Sequence, residues 1–237
     1  MVSLLAAKAE VVFGLHLVTR HRAPRLAALL GLGVAALAAA SEPSPERVAR
    51  VVLLVAAMLA AVSASRLLSP GPALGAARMV VAPWWLVPTG RLVGALCVVG
   101  PVTVGTALAL ASASPQGAPV LGPVAVASAY AVCLAACTMA VAPFWGASAA
   151  ASVGFLGAWL GAAPPSAIAT LFAGWIPLQR ILVWLWNVLP LPWRAARWLA
   201  TGGWADPLLL AAWTLIGLGL AAVHLVGPRR GPRQVES

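Results

Sequence analysis

Residues 92–179 read LVGALCVVGPVTVGTALALASASPQGAPVLGPVAVASAYAVCLAACTMAVAPFWGASAAASVGFLGAWLGAAPPSAIATLFAGWIPLQ and carry no charged side chain. A soluble domain carries charge on about a quarter of its residues. A run this long without any belongs in a lipid bilayer. One crossing takes roughly 20 apolar residues. Pro115-Gln116-Gly117, Pro143 and Pro164-Pro165 punctuate the run and divide it into spans at 92–112, 119–141 and 144–163.

The whole chain repeats the message. Its 237 residues are 62% hydrophobic and 8% charged, with a mean hydropathy of +0.97. These proportions exclude an ordinary water-soluble enzyme, a disordered regulator and a nucleic-acid-binding domain. The formal charge of +10 is spread along the chain. Basic flanks on apolar spans set membrane orientation.

Upstream, residues 1–22 mix apolar residues with Lys8, Glu10, His16 and Arg20, a pattern for an N-terminal interfacial helix. Leu26–Ala40 is the first charge-free run, with Arg25 placed to snorkel. It reads as a retained span; a basic stretch, an apolar run and Ala38-Ala39-Ala40 also fit a cleaved signal. Ser44-Pro45-Glu46 starts a helix running to about Leu68: a capping hydroxyl, Pro at the first helical position, an acid in the first turn. Residues 69–91 contain Pro70, Pro72, Pro83 and Pro88 and cannot form one continuous helix.

Downstream, residues 167–204 change character. Trp184, Trp186, Trp193, Trp198 and Trp204 lie beside Arg180, Arg194 and Arg197, and Pro190 and Pro192 break the stretch. Trp with Arg favours the headgroup level, so 167–204 reads as an outer interfacial or re-entrant segment that does not cross. Asp206-Pro207 opens the last span, 208–226, and 228–237 is a basic tail. The fold expected is a single all-α transmembrane domain, 1–237, with about six spans. With the N-terminus inside, ten of the fifteen basic residues fall on the cytoplasmic side and five (Arg47, Arg50, Arg180, Arg194, Arg197) outside. The expectation is a multi-pass protein of the cell (inner) membrane with both termini cytoplasmic.

Catalysis needs acids, bases or nucleophiles held together. The five acids, Glu10, Glu42, Glu46, Asp206 and Glu236, all sit in flanks, and no two have metal-pair spacing. No catalytic or metal-ligating residue is expected. Cys97, Cys133 and Cys137 lie in apolar runs and read as packing residues. There is no GxxxxGK[ST] phosphate loop. Gly154, Gly157 and Gly161 form a small-residue stripe suited to helix packing, or follow from an Ala/Gly-rich composition. Trp84, Trp85, Trp184, Trp186, Trp193 and Trp198 are the candidate interfacial anchors.

A surface helix, six spans, a Pro-rich connection after the second span and a Trp-rich segment before the last resemble the permease subunits of type-2 ABC exporters. The most specific stretch is GAARMVVAPWWLVPTGR. The family's cytoplasmic loop has Gly at its head, a charged helix, a Pro, then Gly-Lys or Gly-Arg opening the third span. Gly75, Arg78, Pro83, Gly90 and Arg91 occupy those places. The family usually has an acid where this chain has Arg78. The resemblance implies that 66–91 is the loop coupling the permease to an ATPase, with those five residues at the contact. It also implies a homodimer or pseudo-homodimer of permeases. ABC ATPase subunits, carrying ATP and Mg, would be separate polypeptides and would drive export of an apolar or amphipathic substrate. No cofactor is expected on this chain, and no nucleic acid; membrane lipid is the other partner. The alternatives are a non-transporting membrane scaffold or assembly protein, and a lipid-modifying membrane enzyme, which should show clustered polar residues at one depth.

Overall fold

Ser44 caps its helix as the sequence predicts: its side-chain oxygen accepts from the Arg47 N–H, with Pro45 in the first turn. The computed structural model describes residues 2–41, 44–68, 83, 85–114 and 119–226. Among these the chain is all-helical. The helices are α1 (Val2–Arg20), α2 (Arg22–Ala39), α3 (Pro45–Ala64), α4 (Leu86–Ser112), α5 (Leu121–Leu160), α6 (Pro165–Leu171), α7 (Ile176–Val188), α8 (Pro192–Thr201) and α9 (Ala205–Val226). Five of them, α2, α3, α4, α5 and α9, are long and apolar enough to cross a membrane. This architecture is compatible with a multi-pass membrane protein.

The two spans expected at 119–141 and 144–163 emerge as the single element α5, interrupted at Gly146 (φ 80°, ψ 165°). This backbone region is accessible essentially only to glycine. The interruption reverses the chain. A methyl group on Gly154 would stand 3.0 Å from Thr138 Oγ1 and 2.9 Å from Ala61 Cβ. An unbroken helix would separate positions 138 and 154 by about 24 Å. They meet because the limbs 121–145 and 147–160 fold onto each other, with 138 and 154 equidistant from the turn. The second limb, about 21 Å long at 1.5 Å per residue, is shorter than the roughly 30 Å hydrocarbon core.

Helix α3 is the centre of the bundle. Ala56, Ala57, Ala60 and Ala61 are all fully buried, and α5 packs along them. Small side chains let helix backbones approach where lipid offers no hydrophobic driving force. Helix α9 leans on the first limb of α5, where a methyl on Gly217 would lie 2.8 Å from the backbone of Ala136.

Contacts sort the helix ends into two groups. At one end, Leu67 just beyond α3 meets Arg91 near the start of α4. At that same end of the bundle the Phe144 and His224 rings sit edge to face with centroids 4.2 Å apart. At the opposite end, a methyl on Gly122 would approach Leu199 of α8, and α9 begins. Between 176 and 204 no single helix is long enough to cross: α7 has 13 residues and α8 has 10, with the break at 189–191.

Candidate functional site

Arg91 lies in the second turn of α4, inside an apolar helix, and is fully buried. Its Nε donates to Glu10 Oε2 at 2.7 Å and its Nη1 donates to the Leu67 carbonyl at 2.8 Å. The guanidinium carbon stands 4.6 Å from the centroid of the Phe13 ring. One side chain thereby joins three elements: α1, the turn that follows α3, and α4. The Leu67 carbonyl lies past the last turn of α3, where helix ends leave acceptors without intrahelical partners.

Glycine makes this closeness possible. A methyl on Gly94 would lie 2.3 Å from the Val11 carbonyl oxygen, and one on Gly14 would lie 2.6 Å from that of Arg91. On Gly90 it would strike Glu10 Cβ at 2.7 Å. Helices α1 and α4 therefore touch backbone to backbone, and Gly90-xxx-Gly94 is the close-packing motif in use. Glu10 is 5% exposed, so α1 holds its acid in a helix contact rather than in the headgroup layer. A buried ion pair needs such geometry, because both charges lose their water.

A second ionic cluster sits at the opposite end. Asp206 is 2% exposed. It accepts from Arg194 Nη1 at 2.8 Å and from Arg197 Nε at 2.7 Å, and Arg197 Nη2 makes a further bond to it. These bonds raise the Arg197 guanidinium above its ordinary pKa. Both guanidiniums stand over the Trp193 ring, at 5.0 and 4.8 Å. Asp206 lies in the first turn of α9, as its place beside Pro207 predicts, and is also the shared acceptor of two arginines on α8. Two arginines meet one carboxylate, and Arg194 Nε is buried without a partner among the described residues.

The expected coupling residues separate into three groups. Gly75 and Arg78 lie outside the described residues, as does Trp84. Pro83 is exposed. Gly90 and Arg91 are turned into the contact with α1, which corrects their expected place on a surface offered to a partner. Among the expected anchors, Trp85 and Trp184 are exposed. Trp186 is half-buried and donates to the Ala163 carbonyl; Trp198 is half-buried. Trp193 is buried and donates to the Trp186 carbonyl at 3.2 Å, so it packs inward rather than anchoring in the headgroups. In the small-residue stripe, Gly154 packs on Ala61 and Gly161 on Leu191 and Pro192, whereas Gly157 faces open space.

Sequence reasoning missed the Glu10–Arg91 pair. Its members are 81 positions apart and each looks like an ordinary flanking charge. The usable signal was local: an arginine between two glycines four apart at the head of an apolar helix. Among the described residues, no three His, Cys, Asp or Glu side chains group as a metal site. No family model, no curated protein and no solved structure matches the chain.

Proposed function

We propose that this chain is the membrane-spanning permease subunit of a type-2 ABC exporter, driven by ATPase subunits on separate polypeptides. In this reading the folded-back α5 supplies two crossings, the second limb of about 21 Å crossing where the bilayer thins to meet it. With α2, α3, α4 and α9 the total is six, and both termini lie on the cytoplasmic side with the 69–84 connection. The substrate is apolar or amphipathic, and the permeases work in pairs.

The observation that carries the reading is the Arg91 junction. It ties α1 and Leu67, just before the connection, to α4, just after it. A push on the connection by a partner would reach all three elements together, because the buried pair resists separation. A loop joined to the bundle only by its ends would dissipate that displacement.

The test is purification from the native host in lipid nanodiscs. The reading expects a dimer with a co-purifying ABC ATPase whose ATP hydrolysis changes when the permease is present. A monomer with no ATPase, from a host lacking an ATPase gene beside this one, would leave a scaffold or assembly protein as the better reading. Strong labelling of a single cysteine at residue 234 from outside intact cells would overturn the topology.

A further inference from the structure

The cluster of Arg194, Arg197 and Asp206 has one positive charge more than it can neutralise, and its surroundings say what would supply the missing anion. We propose that it binds the phosphodiester of an anionic membrane lipid. Arginine stays protonated under all ordinary conditions, so two guanidiniums and one carboxylate leave a net charge of +1. Asp206 already accepts three N–H bonds, while Arg194 Nε, on a residue more than nine-tenths buried, has no partner among the described residues. The Arg197 side chain is 41% exposed and forms the open side of the cluster. A planar guanidinium fork matches two oxygens of a phosphate.

The position selects a lipid over a soluble phosphate. The cluster stands where α9, a helix long enough to cross, begins. Leu208, in the first turn of α9, is 67% exposed, so the span that begins at the cluster presents apolar surface to lipid. Trp193, with both cations over its ring, holds the guanidiniums at a fixed orientation.

The experiment is native mass spectrometry of the purified, delipidated protein titrated with equimolar phosphatidylglycerol and phosphatidylcholine. The expected result is retention of phosphatidylglycerol over phosphatidylcholine by about tenfold, the scale of a charge-assisted bond. Arg197→Gln should remove most of that preference, and Arg180→Gln, at an exposed arginine outside the cluster, should leave it intact. Asp206→Asn should strengthen it, which a purely structural role of the cluster would not do. Equal retention of the two lipids by the wild-type protein overturns the proposal without recourse to any variant. So does an unchanged preference in a folded Arg197→Gln protein. Displacement of the lipid by millimolar inorganic phosphate would overturn the assignment to a lipid headgroup.

Discussion

The two ionic clusters sit at opposite ends of the bundle and solve different problems. Among the described residues Glu10–Arg91 is one acid against one base, with side-chain exposures of 7% and 1%, closed over by glycine-lined helix contact. Arg194–Arg197–Asp206 is two bases against one acid, with one arginine side chain 41% exposed. The first is balanced and sealed, as a joint must be. The second is unbalanced and open, as a binding surface must be. Charge inside a membrane protein is costly, so the stoichiometry of each cluster is informative about its use.

The sharpest way to break the contrast is Arg91→Met. It strands Glu10 in a dry contact, and losing one partner of a buried pair costs about 3–5 kcal/mol. Thermal unfolding in nanodiscs should show a larger drop than for Asp206→Asn, Gly94→Ala or Arg197→Gln. The double variant Glu10→Leu/Arg91→Met should recover most of the loss, because removing both charges avoids the stranded one. Failure of that recovery would mean that Arg91 acts mainly through the Leu67 carbonyl.

Asp206→Asn comes next. It weakens charge-assisted bonds worth about 1.5–3 kcal/mol, yet the open side lets water reach Arg197. Its unfolding temperature should fall less than that of Arg91→Met. If the two fall equally, the Asp206 cluster is as sealed as the Arg91 pair and the contrast fails.

Gly94→Ala sharpens the Arg91 half of the comparison. Its new methyl would meet the backbone of α1, which cannot rotate aside, at a cost of about 1–3 kcal/mol. Gly157→Ala, facing open space, should cost nothing in the same melt. The smallest effect is expected of Arg197→Gln, below about 1 kcal/mol, because solvent screens a half-exposed pair. A larger loss there would assign Arg197 to folding rather than to a ligand.

Much of the fold was legible because hydrophobic length and proline punctuation act locally. The capping signal at Ser44, the end of α4 at Ser112 and the break at 189–191 could be read directly from short stretches. The reversal at Gly146 was legible only as a gap near Pro143, since nothing in a sequence displays a positive φ. The ionic clusters were less visible. Arg91 stands near the start of α4, where a lone charge ordinarily snorkels, and Glu10 sits midway along α1, so only the tertiary fold brings them together. Asp206 carries a helix-start signal by virtue of Pro207, and that signal concealed its use by α8. The connection around Gly75 and Arg78 was read from resemblance alone and lies outside the described residues.

The long separation of Glu10 from Arg91 also sets a schedule for biogenesis. The ribosome finishes α1 first and reaches Arg91 81 residues after Glu10, an interval of about 4–16 s at ordinary synthesis rates of 5–20 residues per second. During that interval the acid has no cation to receive it, and α1 cannot settle into its final seat. Helix α1 can take its seat against α4 only once α4 has been made, after α2 and α3. Of the helices described, the earliest made is thus among the later ones to be locked in place.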